Sequence, residues 1–185
     1  MSALCWAAVT ASAIALGLVE TARATMSDCF SLQPNARSTT AVAANAAGSV
    51  IVGEFIDAGG TTHALRWSRT SGLLDLGTLG GGSSSALGVS MDGSVVVGTS
   101  GNWWPGGVYH AFRWTRATGM VDLSARRYDF SSTALGVSAN GSVVVGFAKL
   151  ADADVQHAFR WTAADSMRDL NGLNDLDTLL HQCRK

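Results

Sequence analysis

A single phrase occurs three times along this chain, and it constrains the fold more than any other feature. It reads HALRWSRTSGL at residues 63–73, HAFRWTRATGM at 110–120 and HAFRWTAADSM at 157–167. The three tryptophans stand 47 residues apart, and an aspartate follows each of them by eight residues. A period of this length indicates structural units that stack on one another, because one unit alone cannot bury its apolar faces.

Each unit has the pattern of four short β-strands. In the second unit, ALGVS precedes Asp92-Gly93, a dipeptide typical of tight hairpin turns, and the β-branched run SVVVG follows. The third unit has Asn140-Gly141 at the same place. HAFRWT alternates aromatic residues with others, as a strand with one aromatic face does, and GMVDL supplies a fourth strand. The run SVVVG predicts a strand that is buried on both faces.

We therefore predict an all-β fold made of three tandem four-stranded repeats in a partial β-propeller-like blade array. The 21 glycines and the 15% of charged residues favour such a turn-rich β protein over a helical bundle. Repeat 1 is assigned to residues 41–85, repeat 2 to 86–133 and repeat 3 to 134–170, with the glycine-rich segment 76–86 as a linker. A β-trefoil, which closes twelve strands from three repeats, is the alternative.

The two ends of the chain carry signals of another kind. Residues 1–24 hold an uncharged apolar run that ends in small residues at Ala22 and Ala24, which predicts a signal peptide. The mature protein would then lie outside the cell, at its surface or in the periplasm; a buried N-terminal helix is the alternative. Residues 25–40 form an N-terminal segment. Residues 171–185 form a C-terminal tail or amphipathic cap, with leucines three and four residues apart.

Export also changes how the cysteines are interpreted. Without the leader, the chain keeps Cys29 and Cys183, close to its two ends. An oxidising compartment favours pairing, so we predict a disulfide between them. Two unpaired thiols are the alternative.

Three polar positions recur in the repeats. They are occupied by His63, His110 and His157, by Arg66, Arg113 and Arg160, and by Asp75, Asp122 and Asp169. Equivalent positions on successive blades are spread apart, so we expect each histidine to hydrogen-bond within its own blade, to the recurring aspartate, instead of sharing a zinc ion. We expect each arginine to pair with a carboxylate of the neighbouring blade; a basic ring that faces a ligand is the alternative.

One loop stands out because it does not recur. The segment SGNWWPGGVYH, residues 100–110, precedes the aromatic strand of repeat 2 and contains Trp103, Trp104 and Tyr109. Exposed aromatic side chains on a loop suit sugar rings or protein partners, so these three are the candidate ligand-binding residues. The alternative is that they fold back over the blade edge.

The pattern ALGVSxDGSVVVG…HAFRWTxxxGMxDL, with the linking LGTLGGGSSSA, resembles the HAF repeat family over about residues 41–173. That family consists of predicted extracellular bacterial proteins, several of them attached to autotransporter barrels. The resemblance implies export and blades of variable number, and it implies no chemistry, because the family has no agreed activity. Repeat 1 departs from the pattern with His-Ala-Leu at 63–65.

These observations favour a non-catalytic binding or adhesion module whose partner is a protein or a glycan. The sequence contains no G-x-S-x-G, H-E-x-x-H or phosphate-binding loop, so we expect no enzyme activity, no cofactor and no metal. A formal net charge of −1 argues against nucleic acid, and no stable membrane span is expected in the mature chain. A structural or truncated passenger fragment is the alternative, and an enzyme on a propeller frame is a third. Self-association through open blade faces is a further expectation.

Overall fold

The computed structural model of this chain describes residues 36–101, 107–124, 131–149 and 156–170. These residues form three four-stranded antiparallel sheets, here called blades 1, 2 and 3. Blade 1 contains β1 (Ser38–Ala44), β2 (Val50–Ile56), β3 (Thr62–Ser68) and β4 (Gly72–Asp75). Blade 2 contains β5 (Ser83–Val89), β6 (Val95–Gly101), β7 (Tyr109–Thr115) and β8 (Gly119–Asp122). Blade 3 contains β9 (Ser131–Val137), β10 (Val143–Lys149), β11 (Gln156–Thr162) and β12 (Ser166–Asp169).

The all-β class and the three tandem four-stranded repeats are thereby confirmed. Within each blade the strands follow the order of the chain, so every connection inside a blade is a hairpin. The three sheets remain separate and the array is open. A closed β-trefoil, the alternative, is therefore not the observed fold.

The turn between the first and second strands of a blade depends on its glycine. Gly93 and Gly141 adopt φ angles of +74° and +71°, which a residue with a Cβ rarely adopts. Asp92 Oδ1 accepts hydrogen bonds from the hydroxyl and the amide of Ser94, at 2.9 and 3.0 Å. The hairpins predicted from Asp-Gly and Asn-Gly are confirmed, and only the glycine takes the left-handed conformation.

The alternation of side chains along β6 and β7 gives blade 2 two apolar faces. Its front face, directed at the preceding blade, carries Ala86, Val96, Phe112 and Trp114, which pack on Val50, Val52, Ala64 and Leu76 of blade 1. Its rear face, directed at the following blade, carries Val95, Val97, Ala111 and Leu123, which pack on Ala134, Val144 and Phe159 of blade 3. The core therefore lies between the blades, and SVVVG is buried on both faces in blade 2, as predicted.

The predicted repeats begin at residues 41, 86 and 134. In the structure, the first strand of each blade begins three residues before these positions. Ser83, Ser84 and Ser85 belong to β5, so only residues 76–82 of the predicted linker 76–86 connect two blades. Periodicity could not assign these serines, because they lack the apolar alternation of a half-buried strand. The predictions for the leader 1–24, for Cys29 and Cys183 and for the tail 171–185 lie outside the described residues.

Candidate functional site

Each blade brings its recurring histidine next to its recurring aspartate. His110 Nδ1 lies 2.6 Å from Asp122 Oδ2, and His157 Nδ1 lies 2.5 Å from Asp169 Oδ2. Antiparallel pairing explains the contact, because Phe112, two residues after the histidine, lies directly opposite Asp122. The predicted hydrogen bond within one blade is confirmed for these two pairs.

Blade 1 varies this arrangement. His63 Nδ1 lies 3.2 Å from Asp75 Oδ2, yet the geometry forms no hydrogen bond and this buried nitrogen has no hydrogen-bond partner. The imidazole stacks on Phe55, with ring centroids 5.2 Å apart, and its Nε2 lies 3.8 Å from Asp57 Oδ2. Ser100 is the equivalent of Phe55 in blade 2, so stacking is special to blade 1. The imidazole of His63 is thus held between two carboxylates.

The aspartate also directs the chain out of its blade. Asp122 Oδ1 accepts a hydrogen bond of 2.7 Å from the amide of Ser124, and Asp75 Oδ1 accepts one of 2.8 Å from the amide of Gly77. Such a side-chain-to-backbone bond closes a local turn. The His–Asp pair therefore sits where the fourth strand ends and the connection to the next blade begins, which is a structural position.

Serine hydroxyls at the start of the next blade complete this connection. The amide of Ala64 donates to Ser84 Oγ at 2.8 Å, and the amide of Ala111 donates to Ser132 Oγ at 2.9 Å. Buried amides need a partner, and in both places the next blade supplies it. Sequence reasoning missed these serines, although their recurrence at one repeat position was a usable signal.

The recurring arginines of blades 1 and 2 bind the next blade through its backbone. Arg66 Nε donates to the carbonyl of Gly93 at 3.1 Å, and Arg113 donates from Nε and Nη2 to the carbonyl of Gly141 at 3.4 and 3.3 Å. The prediction of a carboxylate partner is wrong, since the tight turn presents a carbonyl within reach. Burial, and to a smaller extent the positive charge of Arg116, lowers the pKa of Arg66.

The arginine of blade 3 behaves differently. Arg160 Nη1 lies 3.4 Å from Asp165 Oδ2, a carboxylate in the turn of its own blade. Both groups are exposed, so this ion pair stabilises the blade only weakly. The contact with a following turn is thus replaced by a local one.

The candidate ligand-binding residues divide between described and other parts of the chain. Tyr109 opens β7 and is half-buried, and its amide donates to Ser131 Oγ of blade 3 at 3.3 Å. It therefore lies at the boundary between two blades. Trp103 and Trp104 lie outside the described residues. Their loop joins the end of β6 to the start of β7, at the edge that also carries the His–Asp pairs; we call this side of the array the loop edge.

The described residues contain no group of three or more His, Cys, Asp or Glu side chains that could hold a metal ion. A bilayer crossing needs about 20 apolar residues in one helix, and no helix of that kind occurs in the ranges described. No protein-family model matches the chain, and no curated protein sequence matches it significantly.

Proposed function

We propose that this protein is an exported, non-catalytic module that binds a protein or glycan partner through its loop edge. The observation that carries this proposal is the contrast between a repeated frame and unequal loops. In blades 2 and 3 the recurring histidine is hydrogen-bonded to the recurring aspartate, and the recurring serines join each blade to the preceding one. The loops that leave the same edge differ in length and in most of their residues.

The loops between the second and third strands show this contrast. Residues 57–61 read DAGGT in blade 1, residues 102–108 read NWWPGGV in blade 2, and residues 150–155 read LADADV in blade 3. Variable loops on a rigid frame are the usual arrangement of a binding surface. Only the loop of blade 2 contains tryptophan, whose large flat ring suits a sugar or an apolar protein surface. We therefore assign the contact to Trp103 and Trp104, beside Tyr109.

Two features of the sequence support the export of this module. The apolar leader pattern at 1–24 and the resemblance to HAF repeat proteins support export to the cell surface, the periplasm or the medium. The test of the site is a screen of the labelled chain on glycan arrays and immobilised matrix proteins. Trp103→Ala/Trp104→Ala should weaken any binder at least tenfold, about 1.4 kcal/mol.

The chain offers a matched control in blade 3. Asp152→Ala/Asp154→Ala changes two residues of the corresponding loop and should leave the same binder unaffected. If no glycan or matrix protein binds, or if binding survives the tryptophan change, the loop is not the binding surface. If both double variants weaken the binder equally, the specificity assigned to the blade 2 loop is wrong.

A second candidate function is a passenger segment of a longer autotransporter-type protein. The observation that favours it is the rear face of blade 3, on which no described blade packs: Leu170 is exposed there, although Leu76 and Leu123 are buried. Sequencing the genomic DNA beyond the codon of Lys185 tests it. Further HAF-like phrases in any frame would support a longer ancestor, and their absence would contradict it.

A further inference from the structure

The same contact joins blade 1 to blade 2 and blade 2 to blade 3. On the rear face, an arginine and a valine contact the turn of the next blade, and an alanine amide donates a hydrogen bond to a serine hydroxyl of that blade. The turn glycine must approach closely: a Cβ on Gly93 would lie 2.5 Å from Val50 Cγ2, and a Cβ on Gly141 would lie 2.4 Å from Val95 Cγ2. The array thus contains two copies of one interface.

The rear face of blade 3 carries the receiving half of this interface. Arg160, Val143 and Ala158 occupy the positions of Arg113, Val95 and Ala111. Among the described residues, none fills the place that blade 3 fills on blade 2. Ala158 is accordingly exposed, whereas Ala111 is fully buried.

Two apolar side chains of this face are exposed. Val145 is 44% exposed and Leu170 is 57% exposed. Their equivalents in blade 2, Val97 and Leu123, are buried. An exposed apolar surface of this kind marks an interaction site.

The front side of blade 1 carries the inserting half. Gly48 adopts a φ of +64°, like the two inserted glycines, but no atom lies within 4 Å of the Cβ position. Thr39 takes the place of Ser84 and Ser132 and also offers a hydroxyl. The Gly48 turn and the Thr39 hydroxyl could therefore contact the rear face of another blade. No described blade packs on this side of blade 1.

We propose that a second copy of this chain joins the first head to tail, with its blade 1 seated on blade 3. Gly48 of each copy would approach Val143 of the other, and Arg160 would donate to the Gly48 carbonyl. Because the two halves differ, the contact is heterologous, and in the proposed pair it closes into a ring of two chains instead of continuing into a fibre. Two chains supply six blades, and propellers close with about four to eight. The inference goes beyond the proposed function and does not depend on it.

Continuity with the interface inside the chain selects this occupant. The pairing needs a valine, an alanine amide and an arginine on one side, and a left-handed glycine with a hydroxyl on the other. One copy of the chain presents all of them on its two ends. A closed pair would bury the exposed rear face of blade 3 and the Gly48 turn of blade 1 at once, and it would leave each loop edge free.

The first experiment measures the mass of the full chain by analytical ultracentrifugation at about 1–100 µM, the range of moderate affinities. We expect twice the mass of one chain. Gly48→Asn should raise the dissociation constant at least tenfold, because its side chain would meet the valine of the other copy. Asparagine tolerates the left-handed conformation, so the single chain should keep its fold, as circular dichroism would report.

Gly72→Asn is the matched control. Gly72 also has a positive φ, +67°, and Ser166 occupies this position in blade 3 with a φ of 58°, so a side chain is accepted there. The position does not contact a neighbouring turn in the proposed pairing. The mass of this variant should equal that of the parent.

A second pair of variants tests the same interface independently, in case Gly48→Asn does not fold. Val145→Lys places a charge on the open face and should abolish the pairing, whereas Val121→Lys, at an equally exposed valine of β8, should not. A parent chain that is monomeric at the highest concentration, an open polymer, or a dimer that tolerates both interface changes would overturn the proposal. A chain that dimerises only after residues 171–185 are deleted would overturn it too, by making the tail the cover.

Discussion

Blades 2 and 3 share the segments SVVVG and HAFRWT, yet within the described ranges blade 2 packs against a blade on each face and blade 3 packs against one, on its front face. The difference shows at equivalent residues. Val97 is fully buried and Val145 is 44% exposed, although each is the last valine of the three-valine run in its blade. In a stacked array, a residue's burial depends on the next repeat as much as on its own. The pair of blades therefore serves as an internal control for what one interface contributes.

The largest expected difference comes from a charge at the two valines. Val97→Asp places a carboxylate in the core between blades 2 and 3, and we expect a loss of more than about 5 kcal/mol, enough to unfold a typical domain. Val145→Asp should cost less than about 1 kcal/mol, because water reaches that side chain. Urea unfolding followed by circular dichroism, at concentrations too low for association, measures both. Equal losses would show that the rear face of blade 3 is covered.

The next difference concerns the tryptophans. Trp114 is 7% exposed and packs in the core between blades 1 and 2, as the alternation of residues in HAFRWT predicted. Trp114→Ala should cost about 3–5 kcal/mol. Trp161→Ala, at the half-buried equivalent in blade 3, should cost distinctly less. If Trp114→Ala melts within about a degree or two of the parent, the assigned facing of HAFRWT is wrong.

A smaller difference is expected at the turn glycines. An alanine at any of them pays about 1–2 kcal/mol for the left-handed conformation. At Gly141 the new methyl group also collides with Val95, whose branched side chain is stiff, and this should add about 1–3 kcal/mol. Gly48→Ala meets no neighbour within one chain, so it should show the conformational cost alone. Similar midpoints of unfolding for the two variants would contradict the close approach.

The smallest difference is a pH dependence of the turn between the first and second strands, which is expected in blade 2 and not in blade 3. Hydrogen bonds from Ser90 and Ser94 lower the pKa of Asp92 from 3.8 to about 2. Because the pKa is lower in the folded state, the ionised turn stabilises the fold above about pH 4, and this contribution is lost as the pH falls through about 2. Asn140 accepts the same hydrogen bonds in blade 3 without titrating.

Thermal melting of the parent and of Asp92→Asn between pH 6 and pH 2 checks this expectation. The variant should lose less stability than the parent over the acid part of the range, since its turn carries no carboxyl group. A direct carboxyl titration by NMR should place the Asp92 midpoint near 2. Parallel acid profiles would mean that the turn does not depend on the charge.

Much of the frame was predictable because its signals are local. The spacing of the tryptophans gave the number of repeats, the Asp-Gly and Asn-Gly turns gave the hairpins, and alternation along HAFRWT placed Trp114 in a core. The His–Asp contact was predictable as well, since both partners recur at fixed positions within one blade. The partner of Arg113 was not, because a backbone carbonyl in another blade leaves no mark of its own in the sequence.

By itself, the sequence determined the strand pattern, the turn glycines and the apolar faces, because these follow from local conformational preference and from the period-two alternation of side chains. Only the tertiary structure decided which faces are covered. Val97 and Val145 have the same neighbours along the chain, and they differ because blade 3 lies over Val97, whereas no described blade lies over Val145. Burial results from contacts between residues distant in sequence, so identical segments acquire different roles according to what stacks against them.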